Sequence, residues 1–373
     1  MKICSVSNTI QNKYSSFNIV FVSTCEWVFK PGVWEEKTGK EPVATNEQRC
    51  PCDSLEGREF CKYHADASIL ASEGLEEEDV FLDLIQEDRH ILGARFQSIS
   101  LTGTDFNQRN IDSIKLVHTI VHQKFELEDI RLAKHTQIIG CSIGKIDFRR
   151  CQLLSDFKLT RSVISGKTTF HKILFGSETN VTGNKFQDNI RIESEFEEDT
   201  EFRQNNCGNS ILLENSKFRK AIRMYYCDFQ EDILIDRSTF SGDFDIKDVR
   251  VEKVIYVRDS TIRNLKVVLK NNRDVLVNIL KSEINKGVIL QNNNANTYCD
   301  FYKSTIGDVN LQTNANGINN YHFKETEFDG FDFFEYRNDF EEVNWNIHNF
   351  AIPISEFNQD RKSTRLNSSH YRT

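Results

Sequence analysis

"CDFQEDILIDRSTFSGDFDIKDVRVEKVIYVRDSTI", residues 227–262, holds an apolar residue that returns every eleven positions, at Phe229, Phe240, Val251 and Ile262. Between these markers a second pattern runs. Phe240 is followed by Phe244 and Ile246, and Val251 by Ile255 and Val257. Alternate residues of an extended chain face the same way, so each phrase reads as a short strand with one apolar face. Upstream the markers are Leu153, Ile164, Phe175 and Phe186, then after a one-residue slip Phe196, Cys207 and Phe218. Downstream they return every twenty-two residues, at Ile284, Ile306 and Phe328. Two positions before the marker stands a small or polar residue: Ser216, Cys227, Ser238, Ser260, Ser282, Ser304 and Thr326.

Short strands repeated at a fixed period are the signature of a solenoid in which one coil lies on the next, roughly 4.8 Å apart. Two half-coils of eleven make a coil of twenty-two. Phe218, Phe240, Ile262, Ile284, Ile306 and Phe328 then form one vertical interior column. Asn272, Asn294 and Asn316 share the twenty-two-residue spacing, which predicts a hydrogen-bonded asparagine ladder; ordinary polar turn composition is the competing reading.

Composition agrees with a soluble β protein. The 373 residues are 38% hydrophobic and 28% charged, with 28 Phe but only 4 Pro and 2 Met. No run of eighteen apolar residues exists to span a membrane, and no clean signal peptide opens the chain. Ten cysteines at irregular positions do not form a secreted disulfide framework, so a reducing, cytoplasmic setting is expected. The tail "DRKSTRLNSSH", Asp360 to His370, reads word for word as a translated sequencing adapter, and residues 360–373 are taken as artefact. That tail carries four basic residues and one acidic, so the formal charge of −9 becomes about −12 for the body. Such a balance argues against direct nucleic-acid binding.

From Phe96 the apolar spacing is five, through Leu101, Phe106, Ile111 and Leu116. With "STFSGDFDIK" and "TEFDGFDFF" downstream, residues 94 to 335 resemble the divergent pentapeptide-repeat proteins, in which an inward Phe recurs every ten or eleven residues. The resemblance implies an all-β fold, a right-handed parallel β-helix of about 22 residues per coil. Some eleven coils would make a rod of about 50 Å.

One constellation has metal-site character, "CEWVF" at Cys25 and "RCPCDSLEGREFCKYH" at residues 49–64. Cys61 and His64 fit two ligands on one turn, and Cys25 and Cys50 complete a tetrahedral set, with Cys52 as the competing donor. A closed set of four donors is structural, and zinc is the expected cofactor; thiols in a reducing cell are the alternative. The segment also resembles the N-terminal knuckle of archaeal pentapeptide-repeat proteins, which leaves the choice between Cys50 and Cys52 open. "LEEEDVFLDLIQEDRH", residues 75–90, carries an apolar helical stripe and acids in its first turn, and is expected to cap the open end of the first coil; a partner-binding helix is the alternative.

No catalytic motif stands out. "SGKTTF", Ser165 to Phe170, ends like a phosphate loop, but Arg161 occupies the first glycine position and Thr168 and Phe170 fall on inward points. His118 and His122 are four apart in a strand-rich stretch, which predicts an exposed edge rather than a metal pair. The outward column Lys217, Asp228, Thr239, Arg250, Thr261, Glu283, Thr305, Glu327 mixes signs. It gathers neither the carboxylates of a carbohydrate-cleaving β-helix nor the continuous negative stripe of a DNA mimic that occupies a topoisomerase.

The resulting partition is a loose or mis-set N-terminus at 1–24, a Cys/His knuckle at 25–66, a capping helix at 67–92, the β-helix at 93–340, and the start of a further region at 341–359. The reading is a non-catalytic scaffold with a protein partner, with a DNA-mimicking topoisomerase-binding protein and a carbohydrate-active β-helix enzyme as the alternatives. A membrane tether is expected beyond Gln359, since related proteins often continue into membrane spans. Sequencing the source DNA across Gln359 checks this: an apolar run of about twenty residues supports the tether, and a stop codon soon after Gln359 rejects it.

Overall fold

A computed structural model describes residues 23–86, 91–270, 274–290, 297–311, 317–342 and 344–345. Its dominant feature is a parallel β-solenoid of about 10 coils. Every long-range strand pairing in it is parallel, and the partners stand about one coil apart in sequence. Phe218 is opposite Phe240, Phe240 opposite Ile262, Ile262 opposite Ile284, Ile284 opposite Ile306, and Ile306 opposite Phe328. The same column continues upward through Phe196, Phe175, Leu153 and Leu132. A second interior column on the opposite side holds Phe96, Val121, Ile143, Ile164, Phe186, Cys207, Phe229 and Val251.

Stacking at the strand spacing fixes how the rings meet. Phe175, Phe196, Phe218 and Phe240 stack with centroids 4.6, 4.5 and 4.9 Å apart and planes within 7° of parallel. Here the coil rise sets the separation, and burial of each ring stabilises by about 1.5–3 kcal/mol.

The one-residue slip in the markers is a β-bulge. His171 faces Glu193 across 22 residues, but Leu174 faces Glu195 across 21, and the register shifts between them. The coil loses a residue at its corner, so the following strands stay in phase.

Except at the bulged coil, where Glu193 precedes Phe196, the half-coils named here turn through a left-handed residue three positions before the marker. Asn215, Arg237, Asp259, Lys281, Lys303 and Glu325 all have φ between 47° and 54°. The next residue is the small polar one, and here the serines form a ladder. The amides of Ser194, Ser216, Ser238, Ser260 and Ser282 donate to the hydroxyls of Ser216, Ser238, Ser260, Ser282 and Ser304 at 3.0–3.2 Å. The left-handed turn points this amide along the solenoid axis, where no carbonyl of the next coil reaches it; the serine hydroxyl does. Asn184 and Asn205 serve the other side in the same way, Asn184 Oδ1 accepting from the Ser162 amide at 2.9 Å and Asn205 Oδ1 from the Asn184 amide at 3.0 Å. The anticipated ladder of Asn272, Asn294 and Asn316 lies outside the described residues.

Before the coils, β1 (Val28–Phe29) pairs antiparallel with β2 (Gln48–Arg49), and α1 (Pro31–Thr38) lies between them. Two helices follow, α2 (Ala67–Ser72) and α3 (Glu77–Gln86). α3 buries Val80, Phe81, Leu82, Leu84 and Ile85, and Phe81 sets its ring on Phe96 and Phe125 at 5.4 and 5.5 Å. The helix thus covers the open end of the first coil.

Two expectations need correction. The five-residue apolar spacing from Phe96 to Leu116 is not carried by strands throughout, as the resemblance to pentapeptide repeats implies, because Phe106 sits on a helix, α4 (Gly103–Arg109). The Asp105 carboxylate accepts from the Thr102 amide and hydroxyl at 2.7 and 2.8 Å, which fixes the start of that helix. With a helix inserted, Phe96 meets Val121, 25 residues on rather than 22. The described residues complete about 10 coils where some eleven are expected.

Phe323, Phe328, Phe331, Phe333, Tyr336 and Phe340, the last two reaching from α5 (Arg337–Glu342) and the turn before it, pack into an aromatic plug at the far end. Trp345 stacks on Phe340 at 5.1 Å; Phe350 and the adapter-like tail lie outside the described residues.

Ser238→Ala leaves the buried Ser216 amide unpaired and should destabilise by about 1–3 kcal/mol in urea unfolding. Phe240→Ala should cost about 3–5 kcal/mol. Equal, near-zero effects of both would contradict the stacked interior.

Candidate metal centre

The hairpin of β1 and β2 brings two distant cysteines together. The Trp27 carbonyl accepts from the Cys50 amide at 3.0 Å, and the Cys52 carbonyl accepts from the Cys25 amide at 2.9 Å. A tight turn follows at Cys61, whose carbonyl accepts from the His64 and Ala65 amides, both at 3.0 Å, so Cys61 and His64 project to one side.

The donor atoms of Cys25, Cys50, Cys61 and His64 all lie within 4.8 Å of one another. Cys50 Sγ is 3.7 Å from Cys61 Sγ, while His64 Nδ1 is 3.3 Å from Cys61 Sγ and 3.6 Å from Cys25 Sγ. With metal–sulfur and metal–nitrogen bonds of roughly 2.3 and 2.0–2.1 Å, a tetrahedron around zinc has sulfur–sulfur edges of roughly 3.8 Å and sulfur–nitrogen edges of roughly 3.5 Å. The measured edges fit, so the cluster can hold a metal ion. Cys52, the competing donor, is buried but is not one of the four converging residues.

Surrounding groups orient these donors. His64 Nε2 is 2.9 Å from the Leu92 carbonyl, which requires the proton on Nε2 and leaves the Nδ1 lone pair facing the sulfurs. The Cys61 amide donates to Cys25 Sγ at 3.3 Å. Trp27 stacks on the His64 ring at 4.9 Å, and the Arg95 guanidinium lies over Trp27 at 4.3 Å. Gly93 is needed here, because a Cβ at that position would stand 2.7 Å from Trp27 Nε1.

Without an ion, the hydrogen bond to Cys61 and then burial push the Cys50 thiol up to about 11. A metal must displace that proton, so affinity rises with pH. The coil cysteines differ in kind. Burial above all pushes Cys141 up to about 12 and Cys151 and Cys227 up to about 11, which makes them inert packing groups.

His118 departs from its sequence reading. It is fully buried at a left-handed corner, φ 50°, rather than on an exposed edge, while His122 is exposed. The partners of its Nε2 come from residues 43 and 44, a separation that no local spacing reveals. Thr168 and Phe170 of the phosphate-loop-like stretch are buried inside the coil. Among the described residues no other group of His, Cys, Asp and Glu gathers for a metal, and no helix is long and apolar enough to cross a membrane.

No protein-family model matches this chain, and comparisons with the curated proteins and with the solved structures give no significant match.

Metal analysis of the purified protein should find about one ion per chain, lost in Cys50→Ser and retained in Cys52→Ser. Retention in the first and loss in the second would reverse the ligand assignment.

Proposed function

We propose that this chain is a non-catalytic interaction or scaffold module, a stiff β-solenoid whose N-terminal segment is tied by structural zinc. The supporting observation is the outer surface, where charges pair from one coil to the next. Lys217 meets Glu195 at 2.9 Å, Arg219 meets Glu197 at 2.9 Å, Arg191 meets Glu214 at 2.9 Å and Arg258 meets Asp236 at 2.7 Å. Pairs this exposed add at most about 1 kcal/mol each. Their consequence is a fixed array of alternating charge repeating at the coil spacing, a surface that a protein partner of complementary charge can recognise.

Zinc is favoured by the donor set, three thiols and an imidazole in tetrahedral array, with all four positions supplied by protein. A closed site organises a segment too short to form its own core and keeps no position open for a substrate. Kinship with divergent pentapeptide-repeat proteins belongs to the same reading and is supported by the inward Phe pattern and the 22-residue coil. A DNA mimic is disfavoured, because Arg150, Arg191, Arg237 and Arg258 interrupt the acids along the face.

The test is quantitative partner capture with the native protein and with the charge-reversed pair Lys217→Glu and Arg219→Glu, alongside supercoiling and reducing-sugar assays. The reading predicts a specific protein partner weakened by charge reversal at unchanged thermal stability. Topoisomerase inhibition, or release of reducing sugar, would contradict it.

A further inference from the structure

The segment between Cys25 and Cys50 leaves the metal cluster and runs down the flank of the solenoid, along a column of left-handed corners. The column is Gly93, His118, Gly140, Arg161 and Gly183, with φ of 77°, 50°, 62°, 49° and 69°. Phe29 and Trp34 pack on the His118 ring at 4.7 and 5.0 Å, and farther down Lys40 Nζ donates to the Gly183 carbonyl at 2.9 Å. The segment is a strap, anchored at both ends by metal-site cysteines and pinned midway by one histidine.

The hydrogen bonds of that histidine specify its protonation state. The Gly140 carbonyl, 3.1 Å from Nδ1, requires a proton there. On the other side Nε2 accepts from the amides of Val43 and Ala44 at 3.1 and 3.2 Å, which requires a lone pair. A second proton on Nε2 would point at two N–H groups, turning both attractive contacts repulsive.

We propose that the strap is a pH-sensitive latch: protonation of His118 at Nε2 releases residues 40–44 from the corner column and uncovers the apolar surface of Leu92, Val117 and Ile120, while the coils remain folded.

The surroundings reinforce this. Phe29 and Trp34, which pack on the ring, form one apolar cluster with Leu92, Ile120, Ala44 and Val117. The nearby charged groups on the strap, Lys37 and Lys40, are cationic and lie near Arg95 and Lys185 of the coils. Arg161 adds a further cation on the corner column. The strap acids Glu35, Glu36 and Glu41 are exposed to water. Burial holds the His118 pKa below its ordinary value, and the hydrogen bond to Gly140 offsets this only in part.

The sign follows directly. The closed state binds fewer protons than the open one, whose histidine titrates near 6.5. The closed strap is therefore favoured above about pH 6.5 and is lost as pH falls below it, the opening equilibrium rising by up to about tenfold per pH unit until the closed-state pKa is reached. The latch does not depend on which ion the cysteines hold.

The test is hydrogen exchange at the Val43 and Ala44 amides, corrected for intrinsic rate, with Trp34 fluorescence, from about pH 8 to about pH 5 and with metal content followed in the same samples. His118→Gln is the control. Its side-chain amide can donate to Gly140 and its carbonyl can accept from the strap, and Gln204 already occupies an equivalent corner with φ 52°. The latch predicts opening that rises by about tenfold per pH unit below about 6.5 in the native protein and stays flat in His118→Gln. A strap closed throughout in the native protein, or equal acid opening in both, overturns it. If His118→Gln does not fold, NMR titration of native His118 decides: a midpoint below 6.5 that moves together with the Val43 and Ala44 signals supports the latch, and titration at or above 6.5 with those signals unchanged overturns it.

Discussion

The fold depends on backbone hydrogen bonding between successive coils in a register of 22 residues. Once Phe240 lies on Phe218 and Ile262 on Phe240, each position has a vertical neighbour of the same kind, and the interior becomes a set of columns. A slip of one residue would turn every inward side chain outward. The structure defends the register in two ways: the bulge at 171–174 absorbs a 21-residue coil, and the serine ladder satisfies the corner amides that the strands leave unpaired.

Such a stack has ends, and the two are closed differently. α3 lays Phe81 on the first coil's aromatic interior, and Tyr336 closes the last by accepting the Leu311 amide at 2.8 Å while its ring joins the aromatic plug. Ahead of α3, a segment of a few dozen residues has too little apolar material to fold alone. Four converging donors could hold a metal ion that supplies what packing cannot, and His118 fastens the segment to the coils.

The interior was legible in the sequence because burial imposes one simple rule, an apolar residue at each marker, and the rule repeats. The four residues that converge as a candidate metal site were legible down to one ambiguity. Cys50 and Cys52 sit on the same short stretch, and only the hairpin's three-dimensional path selects Cys50. The serine positions were visible as a pattern, but their role depends on a left-handed corner that Arg237 or Lys281 does not advertise as Gly would. α4 was hidden by coincidence, since Phe106 on a helix continues a spacing that strands would also produce. His118 was misread because its burial is created by residues some seventy-five positions away.

The direct test of the stacked register is pulsed electron paramagnetic resonance on spin labels at exposed outward positions of one column, Lys217 paired with Glu283 and Lys217 paired with Glu327. Three and five coil rises separate these pairs, roughly 14 and roughly 24 Å along the axis. The account predicts narrow distributions near these distances, differing by roughly 10 Å. Broad distributions, or a second distance not longer than the first, would contradict it.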